Sequence, residues 1–188
     1  MDPYRIVKLD ESWKGRTMWF RYWTDAYLDV ETTVEPGISR IAFCQKKLEA
    51  PVEKKLEVTW MEDWLHAPLL FAAVDEEDNM AGYIELNLER WNNRMRVTNL
   101  FVEEPFRRKG VGAALMEHAV QVSRKAGARA MVLETQSCNM PAIRFYLSQG
   151  YVVGGVDLFC YSNHDQENRE VRLEMMRLLE EDSGAGKR

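Results

Sequence analysis

No stretch of this sequence stays apolar for the roughly 20 residues that a membrane-spanning helix requires. The N-terminus, MDPYRIVKLDESWKG, also lacks the basic and then apolar layout of a secretory signal. Positive charge is in deficit, with 25 Lys and Arg against 30 Asp and Glu and a formal net charge of -5. A protein that grips a nucleic-acid backbone usually presents a basic face, so that class is disfavoured. Cysteine is scarce: Cys44, Cys138 and Cys160 are an odd number without metal-ligand spacing, and His66, His118 and His164 form no cluster. A disulfide framework and a structural or catalytic metal are therefore not expected. Repeats and linkers rich in Gly, Ser or Pro are missing as well. These absences leave a cytoplasmic protein with neither a membrane nor a nucleic-acid partner as the expectation.

What is present can build a core: 188 residues, 46% of them hydrophobic. YRIVKL (4–9) alternates as a first strand, and SWKGRTMWFRYW (12–23) suits a short helix capped by Ser12. Residues 25–37 look like an acidic loop closed by Pro36-Gly37. A strand over 38–48 and a helix over 51–65 follow, the helix with Leu56, Trp60 and Trp64 on one face. The tryptophans Trp13, Trp19, Trp23, Trp60 and Trp64 are expected mainly in the core. From Leu69 the pattern is plainer. Strands over 69–75, 81–89 and 94–103 have short connections that imply antiparallel neighbours. A helix spans 111–126 and a buried strand 128–135. After a short helix over 141–149, two strands lie within 151–161 and 169–179. The polar tail, 180–188, is expected to be disordered. The result is a single α/β (α+β) domain over 1–179, a mixed central sheet of six to seven strands with helices on both faces.

One segment carries chemistry. In LFVEEPFRRKGVGAALMEHA (100–119) a strand breaks into Arg107, Arg108, Lys109, Gly110, Val111 and Gly112 and then becomes helical. The first N–H groups of a helix have no internal partner and lie at the positive end of its dipole, so this end binds anions. Gly110 and Gly112 let the backbone approach such an anion closely. A P-loop would need Gly-Lys-Ser/Thr, and a dinucleotide fingerprint would need a third glycine or alanine where Leu115 stands.

The remaining pattern, Arg/Gln-x-x-Gly-x-Gly/Ala, resembles the pyrophosphate loop of the GNAT superfamily of N-acetyltransferases. A second element supports the resemblance 27 residues beyond Gly112: in CNMPAIRFYLSQGY, Asn139, Ala142, Tyr146, Gly150 and Tyr151 fall in the family's register. LETQ (133–136), Gly154-Gly155, Asp157 and Tyr161 are further similar to the streptothricin acetyltransferase branch.

The resemblance implies acetyl-CoA as donor, no metal, and a small-molecule amine as acceptor. That amine would be a lysine-like amino group on a cationic antibiotic, and a homodimer is compatible with the family. Residues 1–68 would serve the acceptor and 69–179 the cofactor. Leu100, Phe101 and Val102 would pair with the pantetheine arm. Arg107 to Gly112 would hold the pyrophosphate, Asn139 and Ala142 would flank the cofactor arm, and Tyr146 would protonate the departing thiolate. Asn139 can equally be a helix cap, and Tyr146 can equally pack in a core. The amine's base is open between Glu134 and Glu85, although Glu85 between Ile84 and Leu86 also fits a solvated strand position. Asp157, with those two, is a candidate anchor for a cationic acceptor. An acyl-cysteine route through Cys138 is disfavoured because no histidine is placed near it by sequence. A peptide acetyltransferase or a non-catalytic coenzyme A module would share the cofactor motifs, though the module should lack Tyr146.

Overall fold

A computed structural model describes residues 4–179. The elements run β1 (Arg5–Lys8), β2 (Thr17–Glu35), β3 (Ile38–Thr59), β4 (Leu69–Val74), β5 (Met80–Glu89), β6 (Arg94–Val102) and α1 (Val111–Lys125). They continue as β7 (Ala130–Gln136), α2 (Met140–Ser148), β8 (Val152–Asp157) and β9 (Arg172–Leu178). Seven strands form one mixed sheet in the order β1-β4-β5-β6-β7-β9-β8, and β2 pairs with β3 in a separate two-stranded sheet. Every element expected from Leu69 onward is present, with ends moved by a few residues. The expected tail, 180–188, lies outside the described residues. Among the described residues no helix is long and apolar enough to cross a membrane.

By contacts the chain divides into two compact units. The first holds the residues through Met18, Val58–Leu133 and those from Met176 on. Its strands β4, β5 and β6 form an antiparallel meander, with Phe71 opposite Ile84 and Tyr83 opposite Phe101. Helix α1 lies on these three strands. It buries Val111, Leu115, Met116, Ala119 and Val120, whose i, i+4, i+5 spacing makes one apolar stripe. Each of the valine, leucine and methionine side chains removed from water contributes about 1.5–3 kcal/mol. Arg124 and Lys125 sit in the last turn, where the dipole favours cations. Gly127, at φ 69, then turns the chain out of the helix.

The second unit holds Trp19–Glu57 and Glu134–Met175. Its core joins Ala26 and Val30 of β2 to Met140 and Ile143 of α2 and to Val171 and Leu173. Here the structure overturns the expectations for the first third. The segment read as a helix over 12–23 is a single 3-10 turn, Glu11–Trp13, followed by β2. The loop expected over 25–37 is the rest of β2, and the helix expected over 51–65 is the end of β3 and a turn. Aromatic residues at 19, 20, 22 and 23 satisfy a helical and an alternating period equally well. The period of two prevails because Thr24, Ala26 and Val30 are buried while Trp23, Asp25 and Glu31 face out. Proline at 51 is tolerated because a strand with one partner has N–H groups that face away from any ladder. The connection of β2 to β3 is Pro36-Gly37, with Gly37 at φ 81.

Of the tryptophans expected in the core, Trp60 is fully buried and Trp13 is half-buried against Tyr83, ring centroids 5.2 Å apart. Trp19, Trp23 and Trp64 are exposed, the first two because they occupy the outward phase of β2. Leu56 is likewise exposed, so the face expected to join it to Trp60 and Trp64 does not exist.

The close seating of α1 depends on Gly82 of β5. A Cβ there would lie 2.6 Å from the Phe101 carbonyl oxygen and 2.9 Å from Val111 Cγ1. The oxygen belongs to the backbone of β6 and cannot step aside. Gly82→Ala is therefore expected to destabilise the fold by about 1–3 kcal/mol, the range for overpacking. Urea denaturation with an unchanged slope and a lower midpoint would show it, and an unchanged midpoint would contradict the packing described.

Candidate active site

In the first unit the chemistry-bearing segment lies where β6 hands over to α1. β6 pairs with β5 along its whole length, from Glu89↔Arg94 to Gly82↔Val102. Its parallel register with β7 covers only four pairs, Arg94↔Ala130 to Val97↔Leu133. Within the β5 register, Glu85 opposes Asn99 while Leu86 opposes Val97, so Thr98 is an extra residue. This is a bulge, and a bulge bends its strand and increases the local twist. The parallel ladder thus ends where the bulge begins. Leu100, Phe101 and Val102, the expected cofactor strand, lie beyond it.

The loop follows directly. Arg107 donates from Nε to the Val102 carbonyl at 3.1 Å and so ties the loop to the end of β6. Arg108 is in the left-handed region at φ 66, Lys109 lies over the Phe106 ring, and the Tyr4 hydroxyl donates to the Lys109 carbonyl. Gly110 caps α1 in the left-handed conformation at φ 89, which favours glycine. The first bond inside the helix runs from Ala114 N–H to the Gly110 carbonyl. The N–H groups of Val111, Gly112 and Ala113 therefore have no acceptor within α1. No acidic residue occupies its first turn, and a Cβ at Gly110 would meet nothing within 4 Å. Those N–H groups, the dipole and the exposed Arg108 and Lys109 together make a donor set able to hold an anion.

Glu85 belongs to this unit too, but the solvated position that its alternation suggested is not observed. Residues 81–86 of β5 are buried throughout, because the strand is flanked by β4 and β6, Gly82 faces α1, and the alternate face, to which Tyr83 and Glu85 belong, is covered by Trp13, Trp60 and Met61. The Glu85 carboxylate accepts from Met61 N–H at 2.6 Å, the Thr98 hydroxyl at 2.6 Å and the Asn99 amide at 2.9 Å.

The second unit holds the other candidates. Asn139 is the cap of α2: its side-chain oxygen accepts from Ala142 N–H at 3.2 Å, and Pro141 stands in the first turn. Tyr146, seven residues on, is buried on α2 beside Phe145 and Tyr151. Its hydroxyl makes no hydrogen bond among the described residues, and burial pushes its pKa up to about 12. The group stays protonated throughout the neutral range.

Glu134, partly exposed on β7, is engaged at both oxygens. Tyr161 donates to Oε1 at 2.6 Å, and Arg172 lies 3.1 Å from Oε2. Burial, and then the carboxylate beside it, hold the Tyr161 hydroxyl well above the usual phenol range. Arg172 also donates to Cys160 Sγ at 3.5 Å. Sequence reading did not single out Arg172, whose only signal is a polar position in the alternation of β9. Asp157 is exposed, with Oδ1 accepting from Phe159 N–H in a local turn. Cys138 is buried against the Tyr22 hydroxyl at 3.4 Å, and burial pushes its thiol up, away from the thiolate that covalent catalysis needs.

Comparison with known proteins identifies the family. The acetyltransferase (GNAT) family model matches residues 37–151, more than half of the chain. A streptothricin acetyltransferase of Streptomyces lavendulae is 33% identical over 97 residues, 52% of this chain and 51% of the relative. Streptothricin acetyltransferase A of Bacillus subtilis (strain 168) is 30% identical over 113 residues, 60% of this chain and 63% of the relative. The chain thus spans about half to just under two thirds of the curated relatives it matches. In fold it is similar to a Bacillus anthracis str. Ames protein, provisionally named a streptothricin acetyltransferase and solved with acetyl coenzyme A. The TM-score is 0.73 at 21% identity, over 94% of this chain and 98% of that one. With the family pattern covering both the loop at Gly110 and the helix of Tyr146, the chain belongs to the acetyltransferase (GNAT) family.

Proposed function

We propose that the protein is an acetyl-CoA-dependent N-acetyltransferase whose acceptor is a primary amine on a small cationic antibiotic of the streptothricin class. The observation that carries the cofactor half is the unsatisfied N-terminal turn of α1, directly after a strand whose parallel ladder ends at Val97. The N–H groups of Val111, Gly112 and Ala113 would hold the pyrophosphate, with Arg108 and Lys109 adding charge. The backbone of Leu100 and Val102 would receive the pantetheine arm as an added strand does. The acceptor half is supported by the curated relatives, which are named streptothricin acetyltransferases.

Acetyl-CoA supplies an acyl thioester, and the chain's own residues manage protons and orientation. The amine nitrogen forms a bond to the thioester carbonyl carbon, and the carbon–sulfur bond breaks as the tetrahedral species collapses. Glu134 takes one proton from the acceptor ammonium, directly or through a water, so that a neutral amine attacks, and the second proton shed as the amide forms replaces the one that Tyr146 gives to the thiolate. Each of its oxygens keeps a second lone pair beside the bonds to Tyr161 and Arg172, so it can also anchor the cation. Tyr146, protonated and without a competing partner, gives its proton to the departing thiolate. Asn139 fixes the start of the helix that aims Tyr146.

Thiol release from acetyl-CoA, measured against streptothricin, aminoglycosides, polyamines and lysine-bearing peptides, tests both halves. Selective turnover of streptothricin is expected, with Tyr146→Phe lowering kcat by about 100-fold and acetyl-CoA affinity held within about twofold. Turnover of peptides alone would overturn the acceptor, and turnover of nothing would overturn the reaction.

The Glu134 environment has its own signature. The neighbouring carboxylate opposes formation of a tyrosinate, so Glu134→Gln should lower the ionisation midpoint of Tyr161 toward the ordinary value of about 10. Ultraviolet difference titration would follow it, with Tyr161→Phe identifying the transition. An unchanged midpoint would contradict the pairing.

A further inference from the structure

Glu85 is a wholly buried carboxylate that the transfer chemistry above does not use. A charged or polar group leaves water at a high cost unless hydrogen bonds replace its hydration, and here three do. Two of the donors, the Thr98 hydroxyl and the Asn99 amide, belong to the bulge of β6, and both meet Oε2. Thr98 is the extra residue of that bulge, and Asn99 is its first paired neighbour. The third donor, Met61 N–H, meets Oε1 from a residue held in the left-handed region at φ 52, an uncommon conformation for methionine. One side chain thus fastens two irregular pieces of backbone at once.

The bulge decides where β6 points after the parallel ladder ends at Val97↔Leu133. It therefore sets the placement of the Leu100 and Val102 backbone. We infer that Glu85 is a positioning residue for cofactor binding: its carboxylate fixes the Thr98 bulge, and through it the geometry at which Leu100 to Val102 receive the pantetheine arm. The inference rests on the acetyl-CoA reading above.

A carboxylate is specifically required, because all three groups facing it are donors. In Glu85→Gln one end becomes a donor and must confront either Met61 N–H or the Thr98 and Asn99 pair. Thr98→Val is a milder probe that removes one hydroxyl while keeping the side-chain shape. Thr98→Ser keeps the hydroxyl.

The test is calorimetric binding of acetyl-CoA to the full chain, with circular dichroism confirming the folded state of each variant. Glu85→Gln should raise the Kd about tenfold and Thr98→Val about threefold, while Thr98→Ser should stay near wild type. The double variant should be no weaker than Glu85→Gln alone, since both act through one contact. A purely structural role would lower the melting temperature and leave the Kd of the folded protein unchanged, which would overturn the inference. Should Glu85→Gln fail to fold, Thr98→Val decides by itself: weaker binding supports the inference and unchanged binding overturns it. Wild-type protein that does not bind acetyl-CoA would sink the cofactor reading and this inference with it. Equal binding by wild type and variants would sink this inference alone.

Discussion

A strand inside a sheet can pair on both sides only while its backbone keeps register with each neighbour, and β6 loses one register after Val97. The extra residue at Thr98 is the cause: it keeps the antiparallel ladder to β5 intact by opposing one residue with two, and it bends the strand as it does so. The rest of the first unit is arranged around that bend. Gly82 lets Val111 and the β6 backbone close in where β6 ends, and Arg107 ties the loop to the last carbonyl of the strand. Helix α1 then begins with a left-handed glycine and an unsatisfied turn. An interrupted ladder and an unsatisfied helix end are both open hydrogen-bonding capacity, and they follow each other within about a dozen residues. On the proposed reading, that succession would give the pantetheine arm and the pyrophosphate of acetyl-CoA something to bind in turn.

The second unit is organised around protons and charge. Burial acts on Tyr146 and Tyr161 in the same direction, raising both, yet their surroundings differ. Tyr146 has no partner among the described residues and keeps its proton free to donate. Tyr161 donates a hydrogen bond to Glu134 and, with Arg172, fixes the orientation of that carboxylate. On the proposed mechanism the two phenols would serve different tasks, one delivering a proton and one holding an acid in place.

The part of the chain that was legible as sequence is the part in which one period dominates. Val111 to Lys125 has a single apolar stripe and a glycine at each end, so its limits could be read directly. β2 could not be read in that way, because clustered aromatics at 19, 20, 22 and 23 satisfy two periods and only tertiary burial of Ala26 and Val30 selects one. Glu85 was misplaced for a related reason. Alternation assigns a polar residue to the wet face, but a central strand covered on both faces has none. The bulge at Thr98 and the partnership of Arg172 with Glu134 depend on register between distant segments, which no local pattern encodes. Gly110, Gly112, Asn139 and Tyr146 could be picked out by their register with the family pattern, whereas the partners of Glu85 and Glu134 could not.

Amide hydrogen exchange with and without acetyl-CoA tests the central claim most directly, because the claim concerns open backbone capacity at named positions. Added protection is expected at Leu100 and Val102 and at Val111, Gly112 and Ala113, with little change along the Arg94 to Val97 ladder. Protection confined to other segments, or none at saturating acetyl-CoA, would contradict it.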